Sequence, residues 1–288
     1  MLREDSPLPS PFVKWAGGKG QLLAEFDRYL PSKFASYHEP FLGGGAFFFH
    51  LYNQALIRKA VISDSNPDIV NAFFVVRDSL DQLLTLLENL QRYAKDENYF
   101  YDVARPRFNS IRLKTGEQGN VEKAALLLYL NKTCFNGLYR VNKKGDFNVP
   151  WGRYTNPRIC DAPNLKAVSR VLKDKEVRVA CRDFSKVKED AQKGDFIYFD
   201  PPYSPLSPTA NFAEYTSQSF VTADQVHLAE LYHELASRGC FVMLSNSLQV
   251  SNLYEGQGYR LEKVKATRAI NSVAAKRGAI EELLVMNY

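Results

Sequence analysis

The sequence is poor in the residues that tie a chain to a metal, a disulfide framework or a membrane. It has 4 cysteines and 4 histidines in 288 residues. The cysteines stand at positions 134, 160, 181 and 240, with no C-x-x-C spacing and no histidines clustered beside them. That argues against structural zinc and against a disulfide scaffold, and it suits a reducing, cytoplasmic compartment. No metal site is expected. Long apolar runs are missing too. The longest, Ala124 to Leu130, is far short of the roughly 20 residues of a membrane span. Met1 to Pro11 carries acids and prolines in place of a basic start and an apolar run, so no secretory signal is expected there. Repeats and low-complexity tracts are absent as well.

What is present is a packed globular composition: 45% hydrophobic and 24% charged residues exclude a disordered or collagen-like chain. At roughly 100–200 residues per domain, the length predicts one or two domains. The net charge of +5 is unevenly spread. Asn131 to Arg158 holds Lys132, Arg140, Lys143, Lys144, Arg153 and Arg158 against Asp146 alone, and Arg260 to Arg277 holds Arg260, Lys263, Lys265, Arg268, Lys276 and Arg277 against Glu262. The remainder of the chain is therefore acidic. Two basic patches on an acidic background suit a polyanion, because neutralised phosphates release counterions. Charge alone leaves open that they are solvated surface segments.

Short runs of Val, Ile, Phe and Tyr predict strands at Tyr37–Leu42, Lys59–Ser63, Glu176–Cys181, Phe196–Phe199, Cys240–Ser245, Tyr259–Lys265 and Glu282–Asn287. Helical periodicity follows most of them, at Ala46–Tyr52, Asn66–Asp78, Ser185–Ala191 and Thr222–Ser237, the last with Thr222 as its expected cap. Alternation of this kind predicts an α/β fold with a mainly parallel sheet. It lapses between about Asn71 and Ala162, where helical patterns (Leu80–Tyr93, Glu122–Asn131) give way to a turn-rich stretch without a buried strand. That interval reads as an insertion, and it carries the first basic patch.

Three motifs carry chemistry. Asp200-Pro201-Pro202-Tyr203 follows the strand Phe196–Phe199 directly, at the strand end where open α/β sheets bind ligands. The prolines fix the backbone, so the Asp200 carboxylate, the Pro201 carbonyl and the Tyr203 ring suit a flat, amine-bearing ring. Phe41-Leu42-Gly43-Gly44-Gly45 turns the first strand into a helix without being a G-x-G-x-x-G fingerprint. Some 20 residues later comes Asp64, where an acid can bind ribose hydroxyls or simply cap a helix. Lys14-Trp15-Ala16-Gly17-Gly18-Lys19 is not a Walker loop, and its tryptophan can stack a base or anchor the first helix.

Taken in order, K-W-A-G-G-K, F-L-G-G-G, F-N-G-L-Y-R-V-N with G-D-F-N-V-P-W-G-R-Y, and D-P-P-Y resemble the Dam-type DNA adenine-N6 methyltransferases. More narrowly the chain is similar to the Dam-like modification enzymes of DpnII-type restriction–modification systems, from Pro11 to Tyr288. The resemblance implies a Rossmann-like S-adenosylmethionine-dependent methyltransferase sheet with an inserted, mainly helical target-recognition domain carrying a β-hairpin. It implies catalytic segments 1–70 and 163–288 around a recognition segment 71–162. Carried over residue by residue, Trp15, Lys19, Phe41, Gly43, Asp64, Asp183, Phe184 and Asp200 match cofactor positions, and Asp200, Pro201, Pro202 and Tyr203 the catalytic motif. Arg268, Lys276 and Arg277 fall in a basic segment expected near DNA.

The expected substrate is double-stranded DNA, with the target base flipped out of the stack because N6 is paired within it. Phe135 to Pro150 reads as a hairpin turning at Asn142–Asp146, a ribbon that fits a major groove. Arg140 can donate to guanine, Asn136 to a base edge or phosphate, and Leu138 and Pro150 can pack on a thymine methyl, while Lys143, Lys144 and Arg153 face phosphates. Asn136, Leu138, Arg140 and Pro150, with Lys14, match positions at which the family reads GATC. A restriction endonuclease sharing the site, without direct contact, is the partner that such a system implies. Left open are an RNA substrate, cytosine N4 as acceptor, another target sequence, and a catalytically silent DNA-binding protein.

Overall fold

The apolar runs pair into one seven-stranded sheet of order β3-β2-β1-β4-β5-β7-β6. A computed structural model describes residues 7–15, 19–20, 22–113, 119–202, 220–267 and 279–288. The strands are β1 (Tyr37–Glu39), β2 (Ala60–Asp64), β3 (Val177–Cys181), β4 (Phe196–Phe199), β5 (Phe241–Ser247), β6 (Arg260–Thr267) and β7 (Ala279–Met286). β1 to β5 pair in parallel, and β7 enters antiparallel between β5 and β6. The helices are α1 (Leu23–Phe26), α2 (Ala46–Asn53), α3 (Pro67–Asp78), α4 (Leu80–Gln91), α5 (Arg105–Ser110), α6 (Val121–Thr133), α7 (Ala162–Leu172), α8 (Val187–Asp190) and α9 (Thr222–Ser237). This is a Rossmann-like α/β architecture.

Period-two alternation covers the sheet on both faces. Along β4, Phe196 and Tyr198 point into one core, with side chains of α2, α3, α4, α6 and α7; Ile197 and Phe199 point into the other, with α8 and α9. From β1 the chain builds outward to β2 and β3, then returns to place β4 on the other side of β1. The carboxyl ends of β1 and β4 therefore frame the crevice where the strand order reverses, the ordinary ligand position of such sheets.

Local signals set several ends. Asn66 Oδ1 accepts from the N–H groups of Asp68 and Ile69 at 3.0 and 3.4 Å, and Pro67 opens α3. At α9 the expected cap, Thr222, is instead the first helical residue. Val221 precedes the helix, and its N–H donates to Asp224 Oδ2 at 2.8 Å, because a carboxylate at this position reaches back over the first turn.

The helical interval has no core of its own. Leu87, Leu90, Phe100, Leu127 and Leu130 belong to the same buried cluster as Phe196 and Tyr198 of the sheet. α3 runs unbroken across the expected boundary at 70/71. The ribbon expected over 135–150 takes the form of two antiparallel arms joined at isolated bridges, Cys134 with Trp151 and Val141 with Phe147. Two features stop a ladder from forming: Pro150 lacks an N–H, and Asn136 turns the first arm with φ 55°. Among the described residues, no helix is long and apolar enough to cross a membrane.

Candidate active site

Four acids stand in a row at the carboxyl edge of the sheet. Asp183 follows β3, Asp64 ends β2, Glu39 ends β1 and Asp200 follows β4. Adjacent strands at ~4.8 Å make this row about 14 Å long. Asp64 Oδ2 accepts the Gly43 N–H at 2.8 Å and Oδ1 the Asn66 N–H at 2.9 Å, so this acid closes the glycine turn onto α3. Burial raises its pKa, and the N–H groups of Asn66, Gly43 and Ser65 oppose the shift. Asp183 is exposed and caps the turn over Phe184–Lys186 through the Ser185 N–H at 2.9 Å.

Glu39 is a member that sequence reasoning missed; its signal was an acid directly before Pro40-Phe41 and the glycines. It is buried, accepts from Tyr37 OH at 2.8 Å, and has its pKa pushed up to about 8 by desolvation, with the charges of Asp200 and Asp64 adding to the rise.

Asp200 is held from two sides. Lys19 Nζ lies 2.7 Å from its Oδ1, and Ser245 Oγ donates to the same oxygen at 3.1 Å. Burial raises the Asp200 pKa, and the Lys19 ammonium pulls it back. Glu282 of β7 stands 3.9 Å from Lys19, which is 5% exposed. Tyr198, Ser245 and Glu282 are further residues that the motifs did not reveal. Behind Asp200, the Pro202 carbonyl accepts a long 3.5 Å contact from Gln225 Nε2, and Gln225 Oε1 takes Asn246 Nδ2 at 2.9 Å. Tyr203, the polar stretch 205–219 and the basic residues Arg268, Lys276 and Arg277 lie outside the described residues.

Rings line the row. Gly43 has φ +48°, and a Cβ there would stand 2.5 Å from Trp15 Cδ1, so the tryptophan rests directly on the glycine turn. Beside Asp183, Phe41 stacks on Phe184 with centroids 5.2 Å apart, and Phe220 packs edge-on against Phe41. Acids, a turn without Cβ, aromatic faces and one buried lysine together fit an elongated ligand bearing positive charge, a hydroxyl pair and a flat ring.

A second surface adjoins this one. Asn131 of α6 accepts the Lys14 N–H at 2.8 Å and donates to the carbonyls of Lys14 and Gly137 at 2.7 and 2.9 Å. It thereby ties the Lys14–Trp15 segment to the arm that carries Asn136, Leu138 and Arg140. Gly137 is pressed against Lys14, whose ammonium lies 4.2 Å over the Tyr154 ring. Asn136, Pro150 and Arg153 are exposed, and Leu138 is half-buried. Arg140 is braced across the loop, its Nε donating to Asn148 Oδ1 at 2.7 Å and its Nη2 to the Asn148 carbonyl at 3.2 Å.

Lys143 and Lys144 sit apart, exposed on the turn at the far end of the arms. Asn142 Oδ1 shapes that turn by accepting the N–H groups of Lys144 and Asp146, and Arg112 clamps it by pairing with Asp146. Next to Asn136 the Phe135 ring is 46% exposed, an apolar face among polar neighbours that sequence reasoning also passed over.

The family described as D12 class N6 adenine-specific DNA methyltransferase matches residues 15–270, and the chain belongs to it. It is thus an adenine-specific DNA methyltransferase. Among individual proteins, it is 44% identical to a type II methyltransferase, M.MjaIII, of Methanocaldococcus jannaschii, over 96% of this chain and 99% of that one. It is 42% identical to the type II methyltransferase M1.LlaDCHI of Lactococcus lactis subsp. cremoris, over 96% and 95%. A DNA adenine methylase of Escherichia coli K12 is 33% identical over 96% of this chain and 94% of its own. A solved precorrin 8W decarboxylase of Methanobacterium thermoautotrophicum covers 99% of this chain at 9% identity and TM-score 0.34, a distant likeness.

Proposed function

We propose that the enzyme methylates the adenine of GATC in double-stranded DNA, taking the methyl group from S-adenosylmethionine and acting on a base flipped out of the helix. The observation that carries this reading is the Asp200 carboxylate, held by Lys19 and Ser245 at the end of β4 beside a rigid Pro-Pro. The donor set suits the cofactor's chemistry. Asp64 stands where ribose hydroxyls need acceptors, Asp183 and the Phe41–Phe184 pair suit an adenine ring, and Glu39 and Asp200 suit the positive end of the molecule. Trp15, Lys19 and Gly43 complete that cradle. When bound, S-adenosylmethionine supplies an electrophilic methyl group.

The chain's own residues prepare the acceptor. Adenine N6 is a weak nucleophile because its lone pair is delocalised into the ring. Hydrogen bonds from its two N–H groups to the Asp200 carboxylate and the Pro201 carbonyl draw the nitrogen toward tetrahedral geometry and localise that pair. The gain comes from positioning and preorganised electrostatics, so no residue here needs to form a covalent intermediate. Tyr203 would stack on the extruded base.

Site reading falls to the Lys14, Asn136, Leu138, Arg140 and Pro150 group, with Arg140 facing a guanine edge. Lys143, Lys144, Arg153, Arg268, Lys276 and Arg277 would meet phosphates. This divides the labour between a catalytic part, 1–70 with 163–288, and a recognition part, 71–162. Such an enzyme works in the cytoplasm, and its likeness to type II methyltransferases supports a partner endonuclease that cuts the same site. Incubation of unmethylated plasmid with enzyme and cofactor should make GATC sites resistant to a nuclease blocked by adenine methylation. Full cleavage there, with methyl incorporated at another sequence or into RNA, would overturn the specificity.

A further inference from the structure

We propose that Tyr198 and Ser245 form a one-way hydrogen-bond relay that fixes the Asp200 carboxylate for the adenine amine, making both of them positioning residues for methyl transfer. The proposal rests on the reading of Asp200 as the acceptor for N6.

Strand register creates the arrangement. β4 and β5 pair in parallel with Phe199 opposite Leu244, so the next step along each strand sets Asp200 beside Ser245. Tyr198 and Asp200 are two residues apart and share a face of the sheet. The Tyr198 hydroxyl lies 2.9 Å from Ser245 Oγ, and Ser245 Oγ lies 3.1 Å from Asp200 Oδ1. Tyr198 is 1% exposed and Ser245 fully buried, so bulk water does not compete for these contacts.

Proton counting gives the relay its direction. A serine hydroxyl has a single hydrogen. Lys19 Nζ at 2.7 Å from Oδ1 keeps Asp200 in its carboxylate form, which can only accept. Ser245 must therefore spend its hydrogen on Asp200, and the contact with Tyr198 can be made only if Tyr198 donates. Lys19 and Ser245 converge on the same oxygen, Oδ1. With that oxygen pinned, the carboxylate plane is fixed about its Cβ–Cγ bond, and Oδ2 becomes the atom assigned to the N6 hydrogen.

Such a relay contributes to rate by holding an acceptor in the productive rotamer, where small misplacements are expensive. It also lowers the proton affinity of Asp200. Among the described residues, the charged and titratable groups around that acid are Lys19, Tyr37 and Glu39 on β1, Asp64 on β2, Tyr198 on β4 and Glu282 on β7. Ser245→Ala removes none of them.

The test is single-turnover methyl transfer by the full chain on a GATC duplex, measured across pH. Ser245→Ala should slow transfer about 10- to 100-fold, the scale of one hydrogen bond to a charged group. In this reading Asp200 also faces the cofactor's positive end, so the dissociation constants for S-adenosylmethionine and DNA can rise, but by much less than the transfer rate falls. The loss should therefore stay at saturating cofactor and DNA. The acidic limb of the rate profile should move to higher pH, since Asp200 has lost a donor. Tyr198→Phe should slow transfer less and move the limb the same way. Combined with Ser245→Ala it should add nothing, because Tyr198 acts through Ser245. Wild-type rate and pH profile in a folded Ser245→Ala enzyme would overturn the relay, as would a Tyr198→Phe loss that persists undiminished in the double variant. If Ser245→Ala fails to fold, Tyr198→Phe carries the test alone, and an unshifted limb refutes it. Asp200→Asn separates the two levels: inactivity beside a wild-type Ser245→Ala rejects only the relay, whereas full activity rejects the role of Asp200 itself.

Discussion

Trp15 and Tyr139 lie ring on ring, with centroids 5.5 Å apart and planes 24° from parallel. One ring rests on the Gly43 turn; the other belongs to the loop of Arg140, and its hydroxyl donates to Asp68 Oδ2 at 2.8 Å in the first turn of α3. The proposed cofactor cradle and the proposed DNA-reading loop therefore share one stacked pair. Wild-type enzyme should bind S-adenosylmethionine more tightly in the presence of GATC duplex than without it, and Tyr139→Leu should shrink that ratio toward one. By reciprocity the DNA affinity must show the same change. Titrations with and without duplex measure both, and an unaltered ratio in Tyr139→Leu would reject the coupling.

Gly43→Ala should weaken S-adenosylmethionine binding by an order of magnitude or more. The backbone conformation at φ +48° disfavours a side chain, and the new methyl would press on Trp15 at 2.5 Å. The rate at saturating cofactor should be much less affected, because the change strikes binding and not the reacting nitrogen. Calorimetry reads the affinity directly; wild-type binding would take Gly43 and Trp15 out of the cradle.

Glu39 gives stability a pH dependence of unusual sign. Its carboxyl is pushed up to about 8 in the folded chain from an ordinary value near 4.5, so the folded state holds the proton more tightly than the unfolded one. Stability from this group is full below about pH 4.5 and declines as pH rises through about 8. Glu39→Gln, which cannot ionise, should flatten that decline. Denaturant midpoints for both proteins between pH 5 and 8.5, on the order of five points, supply the comparison; parallel curves would contradict the assignment.

Arg140→Ala should lose discrimination at one guanine position of the site by about 1–3 kcal/mol. Lys143→Ala, on the exposed turn, should weaken binding evenly across sequences and flatten its salt dependence. Competition between GATC and scrambled duplexes tells the two apart. Equal losses on both duplexes for Arg140→Ala would mean that this side chain serves only to brace Asn148.

The inner strands β2, β4 and β5 were readable because they are short apolar runs buried on both faces, a pattern that survives without tertiary information, whereas the edge strands β3 and β6 expose Arg178, Lys263 and Lys265. Strand ends were less so: β1 stops at Glu39, whereas the apolar pattern continued to Leu42. Three helical regions escaped, the single turn of α1 (Leu23–Phe26) among them. The segment Tyr99–Ser110 contains Pro106, which reads as a break, yet the proline sits in the first turn of α5, where no N–H is required of it. α7 was hidden at the end of a turn-rich basic stretch, and its Asn164 finds its partner in Ser10 on the opposite side of the sequence.

The site divides in the same way. Asp200, Lys19, Trp15 and Asp64 sit in compact motifs whose spacing is visible in the chain. Glu39, Tyr198, Ser245 and Glu282 are polar residues within strands. Glu39 is bonded by Tyr37 of its own strand but gains the neighbouring charges of Asp200 and Asp64 only in the sheet, and the other three acquire their partners only when segments distant in sequence come side by side. Ser245 meets Asp200 through β4–β5 register, and Glu282 nears Lys19 only once β7 has entered the sheet.

The placement of β7 also dictates an order of assembly. On the ribosome β6 is made before β7, yet among the described residues β6 pairs only with β7, while β7 pairs with both β5 and β6. The earlier-made strand must wait for the later one, and the two join the growing sheet as a hairpin whose inner strand is the newer. Until that happens the edge of β5 stands open and Glu282 is missing from beside Lys19. A nascent chain thus lacks part of its site until β7 has joined the sheet.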